Sequence, residues 1–447
     1  MERDAYRKLL EWKQKTDRKP LVLNGARQVG KTWLLNEFGR NEYKNVAVIN
    51  FDQHPELQNA FQDYDPERLL RVFSAVSDEP ILPGETLVIL DEIQEAPGAI
   101  VSLKYFCENA GEYHIAAAGS LLGLSVHQGT GYPVGKTDEI QLYPMSFSEF
   151  LNAMGKKQLL NQLRQHRWDE LNPLLPMLKE LLRQYYFTGG MPAVIKAYSE
   201  TKDLHSVREM QEQILREYER DFSKHIPAAI LPKVRMVWNS IPSQLARENR
   251  KFIYGAMKKG ARAKEFEDAI QWLQDAGLVY RVTNLTKVCA PLKSYEDIGA
   301  FKLFMVDLGL LGAMTGVTAK QILVDQTIFE EYKGSFTEQY VLQQLVAEGL
   351  KPYYYSNDTS TLEIDLVVQK ESVYPIEVKA EENLRSKSLR TIVNKYDNLL
   401  GWRFSMSPYR DQEWMVNVPL PRRHLPGLSP SSLPNQALLA LESQSVF

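Results

Sequence analysis

KPLVLNGARQVGKTWLL, residues 19–35, is the stretch on which the reading of this chain turns. Residues 20–24 form a short apolar run of the kind found in strands buried on both faces. Residues 33–38 read as a helix. Between them, Gly25-Ala26-Arg27-Gln28-Val29-Gly30-Lys31-Thr32 fits the pattern G-x-x-x-x-G-K-[ST] in the strand-to-helix context that gives the pattern its meaning. Glycines let the backbone turn with its amides facing inward on phosphates, and the helix N-terminus favours negative charge. Lys31 then reaches the β and γ phosphates and the Thr32 hydroxyl ligates Mg²⁺. By composition alone the pattern turns up in roughly 1 to 2% of chains this long, so the flanking strand and helix are what raise it above coincidence.

Working outward, residues 45–50, 86–91 and 114–119 repeat the buried-strand pattern with helix-like segments between them, as a parallel α/β sheet requires. The third run, Leu87-Val-Ile-Leu-Asp91-Glu92, ends in two acids that emerge at the same sheet edge as the loop. An acid pair after a strand is more often plain surface; beside a phosphate loop, Asp91 is expected to hold Mg²⁺, directly or through water, and Glu92 to orient or deprotonate an attacking water. Ser120, closing the next strand, is either a sensor of the γ-phosphate or a helix cap. Asp52 is a metal-site candidate or a turn residue. Arg27, Lys136 and Arg220 are candidates for stabilising transition-state charge, with surface ion pairing as the alternative for each.

The 447 residues allow about three domains. A hydrophobic fraction of 44% with 24% charged residues argues for a folded globular chain. Cys107 and Cys289 are the only cysteines and have no CxxC spacing, which fits a reducing, cytoplasmic setting and argues against a thiolate metal site. A net charge of -3 confines any nucleic-acid contact to a local patch. The start, Met1-Glu2-Arg3-Asp4, carries acidic residues and no apolar run and so is not expected to act as a secretory signal or transit peptide, and no run approaches a membrane span of about 20 apolar residues.

NGARQVGKTWLL at 24–35, LVILDEIQ at 87–94 and YPMSFSEF at 143–150 resemble prokaryotic AAA-type ATPases of the archaeal-ATPase and STAND-like signalling-NTPase neighbourhood, over residues 1–420. That resemblance implies ATP and Mg²⁺ as ligands, with residues 25–32 and Ser120 binding nucleotide and Lys31 and Glu92 acting in hydrolysis. Gly189-Gly-Met-Pro192 is similar to a Gly-x-Pro element that packs near the nucleotide base in that neighbourhood. At Gly135-Lys136 the chain departs from the usual Gly-Arg.

The expected architecture is α/β: a P-loop parallel-sheet domain at 1–150, a helical lid at 151–225, a winged-helix region at 226–330, a smaller α/β restriction-endonuclease-like domain at 331–420, and a flexible tail at 421–447. The wing is read from a helix ending at Gly277 and an alternating strand over 277–283. In the C-terminal part a helix is expected at 336–348 and strands at 351–356, 362–369 and 373–380.

Glu338 falls on that helix, Asp365 on the second strand, and Glu377 and Lys379 two apart on the third, so that the last two share a face and a hairpin brings Asp365 beside them. Two carboxylates would hold Mg²⁺ or Mn²⁺ while the lysine orients a water. D-x(n)-E-x-K arises by chance roughly once in a chain of this length, so its weight comes from strand placement. Together the four residues resemble the PD-(D/E)XK superfamily, implying Asp365 and Glu377 as metal ligands and Glu377 and Lys379 as catalytic. The alternative is a solvated edge strand.

LARENRKFIYGAMKKGARAK at 245–264 carries Arg247, Arg250, Lys251, Lys258, Lys259, Arg262 and Lys264 against one acid, Glu248, and is a DNA or RNA backbone contact, a solvated helical face or an interdomain packing surface. The expected function is an ATP-hydrolysing AAA-type protein whose nucleotide state controls a nuclease-like domain. The alternative is a STAND-like regulatory or assembly ATPase whose C-terminal domain is a catalytically silent partner-binding module; a homo-oligomer is open under either reading.

Overall fold

The computed structural model describes residues 1–119, 133–165, 167–247, 251–323, 330–357, 362–380, 386–396 and 399–420. The chain forms two compact units, one of Met1–Met154, Tyr185–Arg281 and Phe301–Ile328, the other of Gly155–Gln184, Val282–Ala300 and Phe329–Phe447.

The first unit is built on β1 (Leu21–Asn24), β2 (Asn45–Asn50), β3 (Thr86–Asp91), β4 (His114–Ala118) and β5 (Asp138–Gln141). All five run parallel, in the order β2-β3-β4-β1-β5. Every residue of β3 and β4 is buried, as the uninterrupted apolar runs require of strands covered on both faces. β5 was not among the expected strands; only Ile140 of its four residues is buried, so it carries no apolar signature. Helix Lys31–Glu42 follows the loop and turns Leu34, Leu35 and Phe38 inward. It lies close enough to β2 that a Cβ at Gly39 would come within 2.6 Å of Val46 Cγ2. Helices Pro66–Ser77 and Pro97–Asn109 bring Phe73 and Phe106 into a core shared with Val22, Ile49, Val88 and Leu90.

Further helices of this unit include Ala5–Gln14, Phe147–Ala153, Pro192–Thr201, Leu204–His225, Leu231–Leu245, Ala263–Asp275 and Leu308–Met314. Aromatic edges join three of them, with the Phe222 ring 5.6 Å from Trp238 and 5.5 Å from Trp272 at near-perpendicular angles, and Tyr218 6.2 Å from Trp238. Such edge-to-face pairs add to the stability gained from area burial alone.

A second, mixed sheet, drawn mainly from the residues of the second unit, has the order β12-β13-β11-β10-β9-β8-β6-β7. Its strands are β6 (Val279–Leu285), β7 (Glu296–Met305), β8 (Tyr353–Ser356), β9 (Glu363–Gln369), β10 (Val373–Val378), β11 (Gly401–Ser405), β12 (Arg410–Gln412) and β13 (Met415–Pro419). β9 and β10 are an antiparallel pair, while β11 runs parallel to both β10 and β13. The expected wing strand is β6, and it pairs in parallel with β8 through Asn284↔Tyr354 and Leu285↔Tyr355, a neighbour that a free wing would not have. The expected helix at 336–348 begins earlier, spanning Glu330–Ala347. Leu389 and Ile392 of helix Lys387–Lys395 share a core with Ile364, Val367 and Met415. No helix among the described residues is long and apolar enough to cross a membrane, and the tail at 421–447 lies outside them.

Trp238 is 1% exposed and meets two aromatic partners, so Trp238→Ala should destabilise the first unit by about 3 to 5 kcal/mol. A lower midpoint in denaturant unfolding, followed by near-ultraviolet dichroism, is the expected result.

Candidate functional site

The loop at 25–30 is shaped by contacts that leave little freedom of residue type. A Cβ at Gly25 would run into the Leu142 carbonyl oxygen. Gly30, at φ 91, is the N-cap of helix Lys31–Glu42 in the left-handed region, where glycine carries no steric penalty. Gln28 occupies the same region at φ 67, at a cost that glycine would not incur.

The Lys31 ammonium donates to Gly25 O and Ala26 O, each at 2.8 Å. Burial lowers its pKa to about 8, while the carboxylates of Glu92 and Asp91 act in the opposite sense. Thr32 Oγ1 donates to Asp91 Oδ1 at 2.9 Å, and Asn50 Nδ2 donates to Asp91 Oδ2 at 3.1 Å. Burial, and then the neighbouring Glu92 charge, raise the Asp91 pKa. The structure therefore brings Lys31, Thr32, Asp91 and Glu92 to one sheet edge, although β4 stands between the strands that deliver them. Glu92 adopts φ 50 directly after the strand and accepts from Gln94 Nε2 at 2.6 Å. A hydroxyl and a carboxylate in direct contact are hard oxygen donors suited to Mg²⁺, and with Lys31 at a helix N-terminus they fit a magnesium–polyphosphate ligand.

The other expected positions fare differently. Arg27 pairs with Asp221, and Lys136 with Glu108 at 2.9 Å, which are the ion-pairing alternatives. Arg220 is exposed on helix Leu204–His225. Asp52 sits in an exposed turn, its amide donating to Asn50 Oδ1 at 3.0 Å. Ser120 lies outside the described residues. Pro192 stands beside the loop, its Cγ 3.6 Å from where a Cβ of Gly30 would be. The Gly-Gly turn before it is fixed by Gly190 N donating to Asp307 Oδ2 at 2.5 Å and by Met145 N donating to Gly190 O at 2.6 Å.

Arg3 escaped the sequence reading. Buried at 6% exposure, it donates from Nη1 to Val29 O at 2.7 Å, from Nη2 to Tyr143 O at 2.6 Å and from Nε to Glu149 Oε1 at 3.0 Å. Glu149 is itself the reciprocal partner of Ser146 in a capping box, so YPMSFSEF is an anchoring element for the loop. Ser146-x-x-Glu149 before an apolar helix was the available signal; nothing in the sequence marks Arg3. Tyr218 was missed as well, and its hydroxyl donates to Arg27 O at 2.9 Å.

In the second unit, Ile376 pairs with Leu366, so the next residues along each strand are Glu377 on β10 and Asp365 on β9. Lys379 Nζ lies 2.8 Å from Glu377 Oε1, and Asp365 Oδ2 accepts from Val378 N at 2.7 Å. Among the described residues, the buried Glu377 Oε2 has no hydrogen-bond partner. Glu338 is fully buried on helix Glu330–Ala347, which packs on β10. Among the described residues, no three His, Cys, Asp or Glu side chains gather as a metal group, so Glu338 does not join Asp365 and Glu377 in one. The row extends instead to Arg403, in register with Glu377, and Asn417, in register with Arg403. Arg403 Nε donates to Asn417 Oδ1 at 2.8 Å and Nη1 to Ser386 Oγ at 3.2 Å. Of the basic segment, Arg247, Lys258, Lys259, Arg262 and Lys264 are exposed and Lys251 is half-buried; they occupy the connection between two helices more than a helical face, and Glu248 and Arg250 lie outside the described residues.

Residues 17–151 match the family model of an AAA domain, 179–321 that of a domain of unknown function (DUF8612), and 333–422 that of a second one (DUF4143). The segment carrying the loop thus has the AAA-type P-loop ATPase fold. Among solved structures, the Walker-type ATPase PABY2304 of Pyrococcus abyssi is 15% identical, over 70% of this chain and 95% of that one, at a TM-score of 0.45. The ORC1 protein of Aeropyrum pernix, solved in complex with DNA, is 13% identical over 70% and 91%, at 0.29. Neither likeness is close enough to carry a functional argument. No curated protein matches the chain.

Arg3→Ala would leave the Glu149 carboxylate buried without its cation and two carbonyls without their donor, at a cost of about 3 to 5 kcal/mol. Arg3→Lys should recover little of it, because a single ammonium cannot reproduce the guanidinium fork. Denaturant midpoints of the two variants check both expectations.

Proposed function

We propose that the first unit binds ATP with Mg²⁺ and hydrolyses it to ADP and phosphate, and that nucleotide state regulates the second unit. The observation that carries this is the direct Thr32–Asp91 hydrogen bond beside a buried Lys31 at the end of a glycine-shaped loop. In this reading the amides of residues 27–31 bind phosphate oxygens, Lys31 holds the β and γ phosphates, and Thr32 and Asp91 hold the metal. Bound Mg²⁺ supplies charge neutralisation and polarises the terminal phosphoryl group. Glu92, set off β3 by its left-handed backbone, takes the proton of the attacking water.

Lys31→Ala should abolish turnover and weaken ATP binding by at least about a hundredfold, and a variant as active as the wild type would refute the site. Glu92→Gln should retain binding and lose turnover. The lowered Lys31 pKa gives a pH dependence with a definite sign: the cation that attracts phosphate is half lost at pH about 8 and disappears progressively as the pH rises through that value. ATP affinity should therefore fall between pH about 7 and 9, which titration calorimetry of the full chain can follow.

A second activity is favoured by Asp365, Glu377 and Lys379 meeting at one end of the β9–β10 pair, with one Glu377 oxygen left without a partner. We read this as a metal-dependent phosphodiesterase site acting on DNA or RNA, with the exposed cations between Arg247 and Lys264 as a backbone contact. Mn²⁺-dependent cleavage that disappears in Asp365→Ala and in Lys379→Ala is the expected result. Equal cleavage by the variants would mean contamination; nucleotide-dependent oligomerisation without cleavage would favour the assembly ATPase with a silent partner-binding domain.

A further inference from the structure

Helix Leu204–His225 lays four consecutive contacts along the nucleotide site. Glu217 accepts from Gln28 Nε2, Tyr218 donates to Arg27 O, Asp221 pairs with Arg27, and Lys224 pairs with Glu95 at 3.3 Å. Residues 217, 221 and 224 are spaced i, i+4, i+7 and so share one helix face. Two of the four reach side chains of the phosphate loop, one reaches its backbone, and the fourth reaches the turn that follows Asp91 and Glu92. The same helix is held in its N-terminal half by Gln211, which donates to Phe187 O at 2.8 Å and Thr188 O at 3.0 Å just before the Gly189-Gly190 turn. Phe222 and Tyr218 also tie it to Trp238 and Trp272.

We propose that Glu217, Tyr218 and Asp221 are positioning residues that hold the phosphate loop in its binding shape, and that through them nucleotide occupancy is transmitted to helix Leu204–His225. Arg27 and Gln28 then act away from the phosphates, as the loop's anchors on that helix. This rests on the ATP-binding reading above. The physical reason is that a loop which turns its amides toward a ligand cannot use them to hold itself, and the outward groups at 27 and 28 are where an external element can grip it. Because the grip spans both the loop and the turn after the acid pair, a change in the separation of those two segments must strain at least one of the four contacts. Linkage makes the effect reciprocal: what the helix contributes to ATP affinity, ATP returns as order in the helix.

The test uses the full chain and Mg-ATP. Asp221→Asn should weaken ATP binding about fivefold while kcat changes less than about twofold, a split that a general loss of folding would not produce. Arg27→Ala should weaken binding similarly, and Arg27→Ala with Asp221→Asn together no more than either alone, since both remove one interaction. The exchanged pair Arg27→Asp with Asp221→Arg should recover part of the loss. In hydrogen exchange, Mg-ATP should slow residues 204–225 in the wild type and slow them less in Asp221→Asn, where three of the four contacts remain. A wild-type chain that binds no ATP would overturn the phosphate-site reading and this inference with it. ATP binding with additive losses, with unaltered affinity in Asp221→Asn, or with no exchange response in the wild-type helix would overturn this inference alone.

Discussion

A loop that offers its amide protons to a ligand must be held in shape by its carbonyls, and that constraint organises the first unit. Gly25 O and Ala26 O accept from Lys31, Arg27 O from Tyr218, Val29 O from Arg3, and Gly30 O from the Leu34 amide. The donors come from the N-terminus, from the loop's own helix and from a helix about 190 residues further along the chain. Much of the scaffold around the five-stranded sheet is therefore present at the loop itself. Arg3 joins the loop to the capping box at Ser146 and Glu149, and the Gly189-Gly190 turn places Pro192 against Gly30. The segments that resemble motifs in the sequence are in this sense parts of a single support.

The second unit solves a different problem, that of placing charge inside a sheet. Asp365, Glu377, Arg403 and Asn417 follow one another across β9, β10, β11 and β13, so that acid, acid, base and amide alternate with the apolar residues of the same strands. Burying such groups is costly unless each finds a partner. Arg403 meets that condition through Asn417 and Ser386, and the Asn417 oxygen is shared with Ser405. Glu377 meets it with one oxygen and not the other, which makes it the least satisfied member of the row.

The phosphate loop and four of the five strands around it were legible because their signals are local: apolar runs, glycines at strained positions, and acids at a strand end. Glu377 and Lys379 do pair, although β10 ends at Val378, short of the expected 380, and Lys379 lies one residue beyond it. What stayed hidden depended on distance or on mixed character. Arg3 reaches its partners across 26 to 146 positions, and a lone arginine near a terminus carries no pattern. β5 buries one residue of four, β11 carries a buried arginine and serine, and β13 ends in proline, so none reads as a core strand. Asn50 could have been noticed, since it closes β2 in register with Asp91 just as Asp91 closes β3. The pairing of β6 stayed hidden for a similar reason: a strand's own residues announce an extended chain, but not the neighbour, β8, that it lies beside.

Gln28 holds a left-handed backbone that a glycine would adopt at lower cost, and it keeps a side chain there that meets Glu217. The residue type at this one position is therefore an indicator of architecture. In a chain with the same loop but no helix to receive the amide, nothing would offset the strain, and glycine would be the lowest-energy choice. Glutamine at position 28 thus records, in the N-terminal thirty residues, the existence of a helix encoded almost two hundred positions later.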